Sequence, residues 1–230
     1  MHRTAPRRGR LRTTVVATAL ALTGVLGPAG AATAAPPPAP DPRLVPHLTL
    51  AHLATIPDAA MLQASDLRGA GTEPAAEGAW DSLRPPQPCT DRPFPSRVLL
   101  RSDRAVQAMV GFGERPTVVM EHVAVYRLGG AHLYLRDLGR ALAACPTPGE
   151  HEPRWTVRAT GLAGDESMLL ELREWVDYTE SYKSTYVFAA RTGRALVVVA
   201  DAGWEDTSGH ESLVRELAPR AVARAAVLNR

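Results

Sequence analysis

Two kinds of apolar pattern fill the chain beyond its first fifty residues. Runs of β-branched, aliphatic and aromatic residues bounded by Gly or Pro predict strands. Apolar residues that recur three and four positions apart predict helices. The predicted strands are 97–101, with 106–110 as its partner or continuation, and then 117–127, 155–161, 168–175, 184–191 and 195–201.

Three helices are predicted around these strands. A short one starts near Ala59, behind the N-cap candidate Asp58. The second covers 131–144, and the third opens at a capping box that runs from Ser208 to Glu211. Pro219 must kink or split the third helix. The expected buried stripes are Leu135, Leu138, Leu142 and Cys145 in the second helix, and Leu213, Val214, Leu217, Ala221 and Val222 in the third.

The order of these elements predicts the fold class. Strands that follow one another as hairpins, with helices before, between and after them, indicate an α+β fold. We expect a twisted antiparallel sheet with helices packed on one face and one disulfide. Alternating βαβ units do not occur, which disfavours a doubly wound nucleotide-binding fold. The Gly- and Pro-rich stretch 68–95 is expected to be irregular.

The start of the chain predicts export. Five arginines precede the apolar run 15–26, and small residues follow it, which is typical of a secretory signal peptide over residues 1–34. The run is too short to span a hydrocarbon core of about 30 Å. We expect cleavage after Ala34 or Ala35, an extracytoplasmic product and no stable membrane insertion afterwards; an uncleaved amphipathic anchor is the alternative. Residues 35–46 form a proline-rich spacer, and the folded domain is expected over 47–230.

Removal of the leader changes the charge of the protein. The whole chain has a formal net charge of +2, and the loss of five arginines leaves −3. A mildly acidic domain lacks the basic footprint of nucleic-acid binding, so no nucleic-acid partner is expected.

The two cysteines, Cys89 and Cys145, are 56 residues apart. An even pair in an exported chain predicts a disulfide. Two free buried thiols are the alternative. A metal site is not expected, because zinc sites use paired Cys or His spacings.

No catalytic residue, metal ligand or cofactor is predicted. The chain has no G-x-S-x-G elbow, no H-E-x-x-H pair and no phosphate-binding loop ahead of a lysine. His122 and His132 flank the Gly129-Gly130 turn and leave a shared site open, as does the acidic pair Asp165-Glu166. Structural or solvated roles are the favoured interpretation of all four.

Aromatic residues provide the candidates for ligand binding. Tyr and Trp are rigid and amphipathic, which suits them to binding surfaces. Several of them cluster on two neighbouring predicted strands and their connection, although aromatics that merely cover an ordinary hairpin are the alternative. The candidate ligand-binding residues are His122, Tyr126, Trp175, Tyr178 and Tyr186.

A series of short motifs resembles one known family. They are residues 60–67 (AMLQASDL), Trp80, 86–89 (PQPC), 143–145 (AAC), 161–166 (GLAGDE) and 194–199 (RALVVV). In this order, over most of residues 55–228, they resemble the actinobacterial extracellular sensor-like domain, found on PknH-type mycobacterial Ser/Thr kinases and on stand-alone exported proteins. The resemblance implies a twisted antiparallel sheet with helices around a ligand cleft, and it brings no catalytic residues. Family members usually have two disulfides, whereas this chain has cysteines for one.

These observations predict an exported, non-enzymatic ligand-binding or sensor-like module of the bacterial cell envelope. Its expected partner is an unknown small or lipid-like ligand, or an envelope protein. A secreted hydrolase of unknown class and a protein-interaction or inhibitory protein are the alternatives.

Overall fold

The structure is a computed structural model that describes residues 55–78, 80–90 and 92–229, all within the compact unit Leu50–Arg230. The predicted signal peptide and the proline-rich spacer lie outside the described residues. Among the described helices, none has both the length and the apolar character needed to cross a bilayer.

Seven strands form one antiparallel sheet in the order β1-β2-β3-β7-β6-β5-β4. The two segments predicted near residues 97 and 106 are mostly one long strand, because the backbone stays extended from Leu100 onward. Residues 97–99 belong instead to a 3₁₀ helix, Pro95–Leu99. The strands are β1 (Glu73–Pro74), β2 (Leu100–Phe112), β3 (Arg115–Tyr126), β4 (Arg154–Thr160), β5 (Glu166–Val176), β6 (Ser181–Thr192) and β7 (Ala195–Asp201).

The two α-helices are α1 (Gly130–Ala144) and α2 (Glu211–Ala225). They pack on opposite faces of the sheet, which corrects the expectation that the helices share one face. Successive residues of a strand point to opposite faces, and β7 shows the division directly. Leu196, Val198 and Ala200 pack in the cluster that contains α1, whereas Ala195, Val197 and Val199 pack in the cluster that contains α2.

The α+β class, the antiparallel sheet and the disulfide are confirmed. Helix α1 leads from β3 across one face to the far edge strand β4, and the chain returns by hairpins to β7 beside β3. Helix α2 then covers the other face and continues across Pro219 without a break. All seven residues of β7 are buried, so the middle of the sheet is the centre of the core.

The disulfide joins Cys89 to Cys145, the residue that follows α1, with the two Cα atoms 5.4 Å apart. It ties the irregular segment 80–99 to the α1 layer. Two further contacts hold the same segment: the Trp80 indole donates a hydrogen bond to Gln107 Oε1 at 2.9 Å, and the Tyr134 hydroxyl donates one to the Pro86 carbonyl.

The predicted helix near Ala59 is wrong, since only the 3₁₀ turn Asp58–Ala60 forms. The side-chain amide of Gln63 donates to the carbonyls of Asp58 and Met61 at 2.6 and 2.8 Å, and the Asp66 carboxylate accepts from the Gln63 N–H at 3.0 Å. Such side-chain bonds offer the backbone an alternative to the helix.

The predicted capping box is also wrong. Helix α2 begins at Glu211 with His210 as N-cap, and no side chain caps it in the expected way. Ser208 Oγ accepts instead from the Ser184 N–H at 3.0 Å, and the buried Asp201 carboxylate accepts from the His210 N–H at 2.8 Å. The serine therefore fastens the loop to β6 rather than to its own helix.

Candidate ligand-binding cleft

A cleft lies on the α1 side of the sheet, beside the part of β2 that β1 does not reach. Strand β1 pairs with β2 only at Val106 and Gln107, and Asp81, Arg84 and Arg97 line the cavity together with β2 residues that precede that point. The cleft has an outer cavity of about 490 Å³ and a smaller inner recess of about 60 Å³. Three side chains line both: Arg84, Arg97 and Asp103.

Most charges of the outer cavity are paired. Arg84 contacts the Asp81 carboxylate at 2.7 Å, and Arg104 contacts Asp58 at 2.5 Å while also donating to the Ile56 carbonyl. Arg97 is exposed and makes no ion pair with any described residue. Its guanidinium at the cleft mouth can therefore donate hydrogen bonds to a ligand.

The inner recess is aromatic. Its walls include Phe94, Tyr126 and Tyr134, whose rings lie 5.5 Å (Phe94 to Tyr134) and 6.3 Å (Tyr126 to Tyr134) apart between centroids. Burial raises the pKa of Tyr126, and the negative charge of Asp103 raises it further. Burial likewise raises the pKa of Tyr134, so both tyrosines are neutral at physiological pH and present ring surface to the recess.

The backbone at the start of α1 packs closely against Tyr126. Helix α1 begins at Gly130, directly against the end of β3. A Cβ atom at this glycine would lie 2.9 Å from Tyr126 Cβ and 2.8 Å from Leu99 Cβ, closer than side chains tolerate. The glycine at this position thus allows the helix to start against the ring that lines the recess.

His122 lies behind the cleft rather than in it. Its side chain is 1% exposed on β3, on the α1 face, and Nε2 is 3.1 Å from Asp103 Oδ2. Nδ1 has no hydrogen-bond partner among the described residues. The hydrogen bond from His122 lowers the pKa of Asp103 below its ordinary value. His122 therefore positions the Asp103 carboxylate at the cleft wall.

The structure divides the five predicted ligand-binding residues among three places. Tyr126 lines the inner recess, and His122 lies behind the cleft wall, where it contacts Asp103. Trp175 lies at the end of β5, and Tyr178 is 76% exposed in the turn that follows. Tyr186 lies on β6 against the α2 layer, where burial, followed by the charges of Glu171 and Glu211, raises its pKa.

The other groups considered for a shared site have separate partners. His132 Nδ1 is 2.7 Å from Glu166, and Asp165 pairs with Arg191 at 2.8 Å. Neither pair includes His122. Within the described ranges, no group of three or more His, Cys, Asp or Glu side chains is arranged to hold a metal ion.

Sequence reasoning missed Glu121, the neighbour of His122 on the opposite face of β3. Its carboxyl is 2% exposed, Oε2 accepts from the Leu62 N–H at 2.7 Å, and Oε1 has no partner among the described residues. Burial raises its pKa from 4.5 to about 8. A single acid within the apolar run 117–125 was the signal that could have revealed it.

Comparison with known proteins adds one remote structural match. No model of a protein family and no curated protein matches the sequence. The structure is similar to the crystal structure of the extracellular domain of PknH from Mycobacterium tuberculosis, with a TM-score of 0.43 and 8% identity, over 77% of this chain and 97% of that chain. A match this remote says nothing about ligand or activity. Membership of the sensor-like family, which the motifs suggest, therefore stays a prediction.

Proposed function

We propose that this chain is an exported, non-enzymatic ligand-binding module of the bacterial cell envelope, and that its cleft takes a small or lipid-like molecule with one anionic group. The observation that carries the proposal is the pairing of Arg97, which has no ion-pair partner among the described residues, with an aromatic recess in one cleft.

The dimensions and the chemistry of the cleft support this function. Ligand pockets are typically concavities of roughly 300–1,000 Å³ with apolar walls and a few oriented polar groups. The outer cavity of about 490 Å³ falls in that range. Arg97 and Arg84 face a ligand's anion from one side, and Tyr126 with Phe94 offers ring surface to its apolar part. An aliphatic or aromatic carboxylate matches both features.

An oxidising compartment is supported by the Cys89–Cys145 disulfide. Disulfides persist outside the cytoplasm and are rare within it. Mass spectrometry of protein isolated from the culture medium or the envelope tests this part. We expect an N-terminus at residue 35 or 36 and a peptide pair linked through both cysteines, whereas an intact leader or two free thiols would contradict export.

Thermal unfolding with matched ligands tests binding. A ligand that binds only the folded state raises the melting temperature as its concentration rises. Benzoate and decanoate represent aromatic and lipid-like anions, and benzyl alcohol and decanol are their uncharged counterparts. We expect saturable stabilisation by at least one anion and little by its alcohol.

Two variants locate the effect. Arg97→Ala should remove the stabilisation by the anion, because it deletes the unpaired guanidinium. Arg115→Ala removes another exposed arginine that has no ion pair with a described residue, at the far end of the β2–β3 hairpin, and should leave binding unchanged. Equal loss in both variants, or no stabilisation by either anion, would end the small-molecule proposal.

A further inference from the structure

A second group of cationic and aromatic side chains lies on the α2 face, away from the cleft. Arg154 on β4 and Arg173 on β5 are directly opposite each other in the strand register. Both are exposed, and neither makes an ion pair with a described residue. Like charges directly opposite across two strands are destabilising. This position therefore holds a like-charge contact that no ion pair among the described residues neutralises.

A cavity of about 240 Å³ lies at this pair of arginines, lined also by Gly149, Glu152 and Tyr182. Glu152 is the one carboxylate in the wall, and its Oε2 accepts from the Gly149 N–H at 2.8 Å, so it is bound to its own loop. Two guanidinium groups against one carboxylate leave the wall with a net positive charge.

Aromatic rings fix one side of the cavity. The Arg173 guanidinium lies 4.2 Å above the ring centroid of Tyr182, which orients its planar fork. Tyr182 contacts Trp175 edge-on at 5.0 Å, and His151 stacks on Trp175 at 3.9 Å with the rings nearly parallel. This arrangement places the Tyr182 ring, which Trp175 supports, beside the Arg173 guanidinium in the cavity wall.

We infer that Arg154 and Arg173 form a binding site for an oxoanion, with Tyr182 and Trp175 contacting the group that carries it. Guanidinium forks bind phosphate and carboxylate oxygens with paired, charge-assisted hydrogen bonds. An anion between the two arginines also removes the repulsion between them. The cavity is smaller than the usual range for whole ligands, which suits a phosphate group or the phosphate end of a larger molecule. The site is independent of the cleft.

Phosphate esters from two sources present this chemistry, and a titration separates them. Inorganic phosphate and phenyl phosphate test a free anion, and the indole N–H signal of Trp175 in a ¹H–¹⁵N spectrum reports the site. Vesicles of phosphatidylglycerol, compared with phosphatidylcholine, test a lipid headgroup by co-sedimentation. We expect saturable binding in at least one arm, with phenyl phosphate tighter than phosphate because it adds ring contact with Tyr182.

Variants decide whether the arginines carry the effect. Arg173→Gln and Arg154→Gln should each weaken binding by about tenfold or more, as loss of a charge-assisted hydrogen bond does. Arg115→Gln should not change it, because this exposed arginine lies at the end of the β2–β3 hairpin. As a second readout, Arg154→Gln should raise the melting temperature at low ionic strength without added anion, because it removes the like-charge contact.

The inference is overturned if neither arm shows saturable binding, or if the Arg154→Gln, Arg173→Gln double variant binds as the wild type does. A lower melting temperature for Arg154→Gln at low salt would also overturn it, since it would mean that a neighbouring group already neutralises the pair. If binding occurs only with the free anions or only with the vesicles, and is lost in both arginine variants, the site is supported and the source of its phosphate group is identified.

Discussion

The two faces of the sheet differ in how their charged side chains are paired. On the α1 face, a disulfide fastens the segment that carries Cys89, the cleft arginine Arg84 is paired with Asp81, and aromatic rings are buried in the recess. On the α2 face, Arg154 and Arg173 lie opposite each other with no ion-pair partner among the described residues, and the neighbouring Tyr182 ring is 40% exposed. The cleft should therefore recognise one anionic group together with an apolar part, whereas the second site should select mainly by charge.

Strand β3 shows the same contrast in two consecutive residues. His122 points to the α1 face and is bound to Asp103, whereas Glu121 points to the α2 face with one oxygen unpartnered among the described residues. Because the sheet separates them, each face should respond to changes of its own groups.

Loss of the disulfide should affect the α1 face most. Closing a loop of 56 residues stabilises a fold by about 4 kcal/mol in chain-entropy terms. The Cys89→Ser, Cys145→Ser double variant should lose about that much free energy of unfolding in urea, and benzoate or decanoate binding with it. Binding of phenyl phosphate near Trp175 should persist. Equal loss at both sites would show that the faces are not independent.

Glu121 should make the protein less stable as the pH rises. Its pKa is raised from 4.5 to about 8, so the folded state holds a proton that the unfolded chain releases between these values. Each pH unit in that window lowers the free energy of unfolding by about 1.4 kcal/mol, which gives about 2–3 kcal/mol from about pH 5 to pH 7.

Urea denaturation across this pH range measures the effect of Glu121. Glu121→Gln should flatten the dependence, because the amide does not titrate. Glu150→Gln changes a carboxyl that is 89% exposed and should keep the wild-type slope. An unchanged slope in Glu121→Gln would refute the assignment.

Asp103 should give a smaller effect of the opposite sign. Its pKa is lowered, so the stability it contributes is present above its ordinary pKa near 3.8 and is lost as the pH falls below that value. Asp103→Asn should cost about 1 kcal/mol near neutral pH, since the carboxylate is half exposed and solvent screens part of its contact with His122. Asp81→Asn, at a more exposed carboxylate, is the control and should cost less.

Tyr178 should have almost no effect. It is 76% exposed and lines neither cavity. Tyr178→Ser should change the free energy of unfolding by less than about 0.5 kcal/mol, as exposed substitutions usually do. Binding of decanoate and of phenyl phosphate should be unchanged. A clear loss of either would return this tyrosine to the candidate ligand-binding residues.

The sequence was sufficient for the regular elements and insufficient for their placement. The apolar run of β7 and the three-and-four spacing of α1 are local patterns, and both elements form as predicted. The apolar stripes of α1 and α2 look alike, so they do not reveal which face of the sheet each helix covers. That face depends on how the chain crosses the sheet. Near Ala59 the Gln63 side chain bonds the Asp58 carbonyl, and the predicted helix does not form. Ser208 accepts a hydrogen bond from the Ser184 N–H and does not cap α2.

The sequence pointed to residues at the candidate cleft only where a single residue stands out by its type from its neighbours. His122 and Tyr126 are a polar and an aromatic residue on an apolar strand, which is visible in the sequence. Arg97 lies in the 3₁₀ helix Pro95–Leu99, and no local pattern shows that this helix brings it to the cleft. The pairing of Arg154 with Arg173 depends on strand register, which includes a shift between Val157 and Ala159.

The most direct test of the account is an assigned ¹H–¹⁵N titration of the mature chain with decanoate. We expect saturable shifts at Arg97, Asp103 and Tyr126, no shift of the Trp175 indole, and loss of the cleft shifts in Arg97→Ala. Saturable shifts that persist in Arg97→Ala, or shifts confined to residues outside the cleft, would contradict it.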